Sequence, residues 1–294
     1  MSNLIEIAAG DWFLQLAPTL GGAITALRYR GEDVLRPASP DAVHPLQTSC
    51  FPMVPFVGRI AHGRFVFRGR RVTIAPNLTG DAHVLHGFAW LEPWRVTDTR
   101  PESVTLTWQC QDRDDWPWAH SAEQRFTLDA AGLSIVLTVT NLSNRPMPGG
   151  IGLHPYFKAE SGTRIRFAAR QLWSSDAAIL PDAPMAVDTF GDWAGGAKIP
   201  TTRDIDNSYE DWDGIADIIG AQQLRLDARG VRDLHLYAPA AADFFCLEPC
   251  SHLPDAFNRG DRFDVLDPGA SRTIGLSIAW ASVNRSALLK VPGS

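Results

Sequence analysis

The 294-residue chain is poor in the features that mark several large protein classes. Its four cysteines, Cys50, Cys110, Cys246 and Cys250, are too few for a disulfide scaffold and are expected to be reduced, buried thiols of a cytoplasmic protein. Positive charge is in deficit: 27 Lys and Arg against 33 Asp and Glu leave a net charge of −6. That balance excludes the basic face a nucleic-acid partner or an anionic membrane surface would need. No run approaches the roughly 18 apolar residues of a membrane helix. Met1 to Glu6 offers neither a basic nor an apolar leader, so no signal peptide is expected. There is no Gly-x-Ser-x-Gly elbow, no Gly-x-Gly-x-x-Gly, no phosphate loop and no His-Glu-x-x-His. Nor does any window of a dozen residues carry a helical apolar stripe free of glycine and proline; at most, Ile215 to Gly220 is expected to form a short helical turn.

What the chain does have is turns, tryptophan and a period of two. Gly 24 and Pro 21 exceed the usual combined share of about 12% and imply many short elements. The ten tryptophans each offer an apolar face and one N–H donor, the kind of surface sugar clefts use, although most tryptophans are core. Val104, Leu106, Trp108 and Cys110 alternate with polar residues, as do Leu133 to Val139 and Ile274 to Trp280. Shorter matches occur at 23–29, 65–67, 72–74, 126–128, 224–226 and 234–237, separated by turn signals such as Arg68-Gly69-Arg70. The expected fold is all-β, a large antiparallel β-sandwich, because strands with one buried face must stack sheet on sheet or close into a barrel. With no internal repeat and no low-complexity linker, residues 1–294 are expected to form a single domain with a core of about 5–282. Pro181 to Pro200 is expected to be a long loop, and Ala287 to Ser294 a loosely held tail.

Four segments break the alternation and place an ionisable residue among apolar neighbours beside a glycine or proline. They are 56–63 with Arg59 and His62, 83–88 with His83 and His86, 149–157 with His154, and 244–250 with Glu248. Such surroundings shift proton affinities, which acid–base chemistry exploits. Taken singly, a histidine in an apolar segment is more often a hydrogen-bonded core residue, Arg59 could be a structural ion-pair partner, and Asp206 a turn former. Glu248 is harder to dismiss, since glutamate is rarely buried unpaired. By residue type His86, His154 and Glu248 also make a zinc-type set, but no metal and no cofactor is expected.

In order along the chain these pieces resemble the aldose 1-epimerase (galactose mutarotase-like) family. The matching residues are Gly58-Arg59-Ile60, Pro76-Asn77, Leu85-His86-Gly87-Phe88, Gly152-Leu153-His154-Pro155-Tyr156-Phe157, Ile205-Asp206-Asn207-Ser208-Tyr209, Leu247-Glu248-Pro249 and Pro254-Asp255-Ala256-Phe257-Asn258. The resemblance spans about residues 5–282 and implies a galactose mutarotase-like supersandwich with a sugar cleft. It implies interconversion of the α and β anomers of a free aldose, with Glu248 as general base and His154 as general acid on opposite sides of the hemiacetal. Arg59, His86 and Asp206 would hold the sugar, with Asn77 and His83 as further cleft residues and Trp116 or Trp118 as stacking or lid residues. The partner would be a small-molecule monosaccharide, and the protein a monomer or weak homodimer. Gly58 stands where better-known members often have Asn, and Cys250 where an aromatic often follows the Glu-Pro. Two other readings remain: an epimerase of an anionic sugar (phosphorylated, sulfo- or uronic), for which Arg64, Arg68, Arg70 and Arg71 would supply charge, and a non-catalytic carbohydrate-binding protein.

Overall fold

In the computed structural model, residues 4–260 and 262–281 are described. The alternating segments form the strands they announce: Ser103–Cys110, His120–Leu128, Gly132–Asn141 and Ser271–Trp280 lie side by side and antiparallel. They belong to a nine-stranded sheet in the order Arg95–Arg100, Ser103–Cys110, His120–Leu128, Gly132–Asn141, Ser271–Trp280, Gln223–Arg229, Ile215–Ile219, Arg164–Phe167, Ala197–Lys198. A second, eight-stranded sheet runs Pro181–Met185, Gln171–Ser175, Ile205–Glu210, Asp233–Ala238, Phe244–Cys250, Gly152–Leu153, Pro52–Met53, and Tyr156–Lys158 also pairs with Phe244–Cys250. A four-stranded sheet, Ile5–Ala9 to Glu32–Asp33, precedes both.

The buried faces of the two large sheets contribute to one apolar cluster reaching from Ile7 to Ile278, with Leu137 and Leu276 from the first sheet and Leu236, Phe245 and Leu247 from the second. The sandwich expected from the alternation is therefore present: each sheet buries one face against the other, which removes apolar surface from water at about 25 cal/mol per Å². All four cysteines are free and buried. No helix among the described residues is long and apolar enough to cross a membrane.

Two local expectations are corrected. Ile215–Ile219 is a strand, not a helical turn, because Ala216 and Ile218 point inward while the segment pairs on both sides. The 181–200 stretch is not wholly loop: Pro181–Met185 is an edge strand, the position where proline's missing N–H costs no ladder bond, and Ala197–Lys198 is another. The 287–294 tail lies outside the described residues.

Candidate active site

The second sheet differs from the first in what lies on its other face. Along Phe244–Cys250 the side chains of Phe245 and Leu247 enter the main core, so period two sends Phe244, Cys246, Glu248 and Cys250 the opposite way. There a second apolar cluster covers the sheet: Ala23, Phe51, Met53, Val57, Leu85, Trp90, Tyr156, Cys246 and Cys250. Register then lines up polar residues across the covered face. His235 pairs with Ser208 on one side and Glu248 on the other, Tyr237 with Asp206 and Cys246, and Asp233 with Glu210 and Cys250. Between sheet and cover lies a cavity of about 350 Å³, lined by Arg36, Arg59, His86, His154, Tyr156, Asp206, His235, Tyr237, Phe244 and Glu248 with a few apolar residues.

The remaining lining residues come from the covering segments. His154 follows the short strand Gly152–Leu153, its N–H donates to the Phe51 carbonyl, and its ring stacks on Phe51 and on Tyr156, each at a centroid distance of 4.6 Å. Gly152 is required there, because a Cβ would stand 2.6 Å from Met53 and 2.7 Å from Val57. Arg59 and His86 sit on a ribbon in which Arg59–Ile60 pairs with Val84–Leu85. Gly58 donates its N–H to His86 Nδ1 and accepts the His86 N–H at its own carbonyl. Its φ of +62° and the approach of Pro254 exclude a side chain. His86 itself takes a left-handed φ of +57°, a cost that the surrounding bonds sustain.

The electrostatics follow from burial. His154 Nε2 and Glu248 Oε1 are 3.2 Å apart, with both side chains almost fully buried. Burial, then the charge of His235, lowers His154 to about 3. Burial raises Glu248 to about 8 against the partial relief given by His235 and Arg59. Between those limits the pair holds one proton, shared across the 3.2 Å contact. His86 is pushed well below its ordinary value by burial and by His154 and Arg59. Its neutral ring accepts the Gly58 N–H at Nδ1, so the ring proton sits on Nε2 as a donor. His235 Nε2 lies 2.7 Å from Asp206 Oδ1 and Nδ1 lies 2.8 Å from the Ser208 hydroxyl. Burial pulls against both charges, yet this bond, with their other charged neighbours, keeps His235 above and Asp206 below their usual values. Arg59 Nε donates to Asp81 at 3.0 Å.

The aldose 1-epimerase family model matches residues 3–279. The chain belongs to the aldose 1-epimerase family. An uncharacterised Escherichia coli K12 protein, YphB, is 31% identical over 276 residues, spanning 88% of this chain and 93% of its own. A second, YihR, also from Escherichia coli K12 and uncharacterised, is 23% identical over 286 residues, 93% of this chain and 92% of its own. The crystal structure of a provisionally named aldose 1-epimerase from Escherichia coli K12 superposes with a TM-score of 0.88 at 29% identity, covering 95% of this chain and 99% of that one. A Caenorhabditis elegans homologue shares the fold with a TM-score of 0.83 at 20% identity, covering 97% and 100%.

Within this aldose 1-epimerase fold, Arg59, His86, His154, Asp206 and Glu248 converge on the cavity as the motifs suggested. The pair is not split across it, however: His154 and Glu248 are in contact on one wall, because the strand that leads to His154 pairs beside the strand that carries Glu248. Three other candidates go elsewhere. Trp118 is 2% exposed and, like Trp116, packs in the core against Phe67 and its neighbours, since two adjoining indoles are most stable out of water. Asn77 spends its amide on the Leu85 N–H and the Leu85 and Gly87 carbonyls, and so shapes the His86 loop from behind. His83 accepts the His62 N–H and faces an adjoining hollow of about 480 Å³ that shares Arg59, Leu78 and Ile179 with the cavity. Arg64, Arg68, Arg70 and Arg71 are exposed on a hairpin whose Phe65 and Phe67 turn inward, and none lines the cavity.

Sequence reading missed His235, Arg36 and Tyr237. His235 and Tyr237 occupy polar positions of an alternating strand and carried no other signal. The donor atoms of His154, Cys246 and Glu248 lie within 4.8 Å of one another. Burial holds the Cys246 thiol well above its ordinary value.

Proposed function

We propose that the protein catalyses mutarotation, the interconversion of the α and β anomers of an aldose. The observation that carries this reading is the 3.2 Å contact between His154 Nε2 and Glu248 Oε1 on the wall of the cavity. The volume of about 350 Å³ falls in the lower part of the range of small-molecule sites. Ring opening removes a proton from the C1 hydroxyl and delivers one to the ring oxygen as the bond between C1 and that oxygen breaks. The two oxygens share one carbon, so a pair in mutual contact reaches both. Glu248 takes the hydroxyl proton and His154 supplies the ring proton. Rotation about C1–C2 turns the aldehyde, and the reverse transfers close the ring on its other face. His86 Nε2–H and the Arg59 guanidinium donate to sugar oxygens, while Asp206, fixed by His235, accepts from hydroxyls. No redox change and no covalent intermediate is needed. A protein that only bound sugar would have no use for a buried carboxylate and imidazole sharing a proton.

Polarimetry of freshly dissolved aldoses tests this. Re-equilibration of at least one aldose faster with the protein than in buffer, and lost in Glu248→Gln, is expected. Equal rates for protein, variant and buffer over a panel of neutral and anionic aldoses would falsify it.

A further inference from the structure

The cavity's carboxylates are matched, and one of its cations is not. Asp206 is bound by His235, Glu248 meets His154, and Arg59 has Asp81. Arg36 also lines the cavity, yet among the described residues no carboxylate lies within ion-pair distance of it. Its guanidinium is held by other means. One Nη donates to the Leu46 and Thr48 carbonyls at 2.8 and 2.9 Å, and the plane rests over the Tyr156 ring at 3.8 Å and the Phe244 ring at 4.5 Å. These contacts fix the group without neutralising it. They leave Nε and the second Nη without a partner among the described residues, N–H donors free to meet the oxygens of an anion. Tyr156 stacks on His154 as well, so Arg36 stands one side chain away from the proton-transfer pair.

We propose that Arg36 is an anion anchor, and that the preferred substrate is an aldose carrying an acidic group on C6. This rests on the mutarotase reading. In an aldopyranose C5 is bonded to the ring oxygen, so a C6 substituent leaves the ring beside the atom that His154 protonates, within reach of a guanidinium one side chain away. The arginines that a bare sequence would nominate, on the 64–71 hairpin, face solvent; Arg36 is set rigidly at the site and, unlike Arg59, has no carboxylate within ion-pair distance among the described residues.

The test compares kcat/KM for glucose, glucuronate and glucose 6-phosphate, which separates carboxylate from phosphate as the source of charge. The wild-type protein should favour at least one anionic sugar over glucose by about tenfold or more, and the ratio of anionic to neutral kcat/KM should fall at least tenfold in Arg36→Met and less in Arg36→Lys. Because Arg36 also ties two loop carbonyls, a wild-type measurement stands beside the variants: raising the salt should raise KM for the anionic sugar and leave KM for glucose unmoved. Acceleration of glucose with no anionic preference and no salt effect overturns the anchor while the mutarotase reading stands. Failure of every sugar to re-equilibrate faster than buffer overturns that reading. Calorimetric titration of the same sugars then decides the anchor by itself: equal affinity for glucose and both anions removes it.

Discussion

The two large sheets of this protein obey the same alternation and use it for different ends. In the nine-stranded sheet, Leu133, Ile135, Leu137 and Val139 are buried while Ser134, Val136, Thr138 and Thr140 are partly or fully exposed. The outer row makes modest hydroxyl contacts such as Thr138–Thr273 at 2.9 Å. In the eight-stranded sheet the corresponding outer row holds Asp206, His235 and Glu248, and it is roofed by Phe51, Leu85, Trp90 and Tyr156. One polar face meets water and the other meets a lid of aromatic residues. In the first the polar groups are solvated and ordinary; in the second they must satisfy one another, and their proton affinities move.

Four variants bear on this contrast. The largest effect is expected from Glu248→Gln, which should lower kcat by about 10³–10⁴-fold in polarimetry if the roofed row performs the chemistry. The same variant reports on the roof. Glu248 is raised from 4.5 to about 8, so the folded protein keeps a proton that the unfolded chain releases, and the wild type loses this contribution as pH rises through that window. The Tm of Glu248→Gln relative to wild type should therefore climb between pH 5 and pH 8 and level off above. A flat difference would mean that the carboxyl is solvated after all.

Next in size, Trp118→Ala should cost about 3–5 kcal/mol in denaturant unfolding, as befits a core indole, with KM for sugar unmoved in the folded fraction. A rise in KM with little loss of stability would restore Trp118 to the cleft. His235→Gln should cut kcat/KM by about tenfold and displace the alkaline limb of its pH profile upward. The histidine's charge favours ionisation of Glu248, so removing it leaves that carboxyl harder to ionise. An unmoved limb would reduce His235 to a strand residue. Smallest of all, Val136→Thr on the wet face of the first sheet should change stability by no more than about 0.5 kcal/mol, because Val136 is 39% exposed. A loss of several kcal/mol would reveal an unrecognised cover there too.

The candidate site was legible only where a residue broke its local pattern. Glu248 after Phe-Phe-Cys-Leu, and His86 and His154 beside glycine and proline, violate strand alternation, and the order of their motifs carried the family resemblance. His235 obeys the pattern. In Leu234-His235-Leu236-Tyr237 it reads as a solvent-facing position, the same as Thr138 in the other sheet. Arg36, in an irregular segment ahead of the short Pro45–Gln47 turn, gave no signal, because what distinguishes it is that no carboxylate among the described residues comes within ion-pair distance. Trp118 erred the other way: its residue type suits a sugar face, but the fold had a core position for it.

The sequence by itself determined that the chain is a stack of antiparallel strands, because a half-buried strand writes its burial into every second residue. It also singled out Arg59, His86, His154 and Glu248, because each interrupts that rhythm. Only the tertiary structure decided which polar rows are wet and which are roofed, and with that the shifted proton affinities of Glu248 and His154, the His235–Asp206 bond and the place of Arg36 at the cavity. Those depend on what packs across a face from a distant part of the chain, and period two records that a residue faces outward from its strand without recording what it faces.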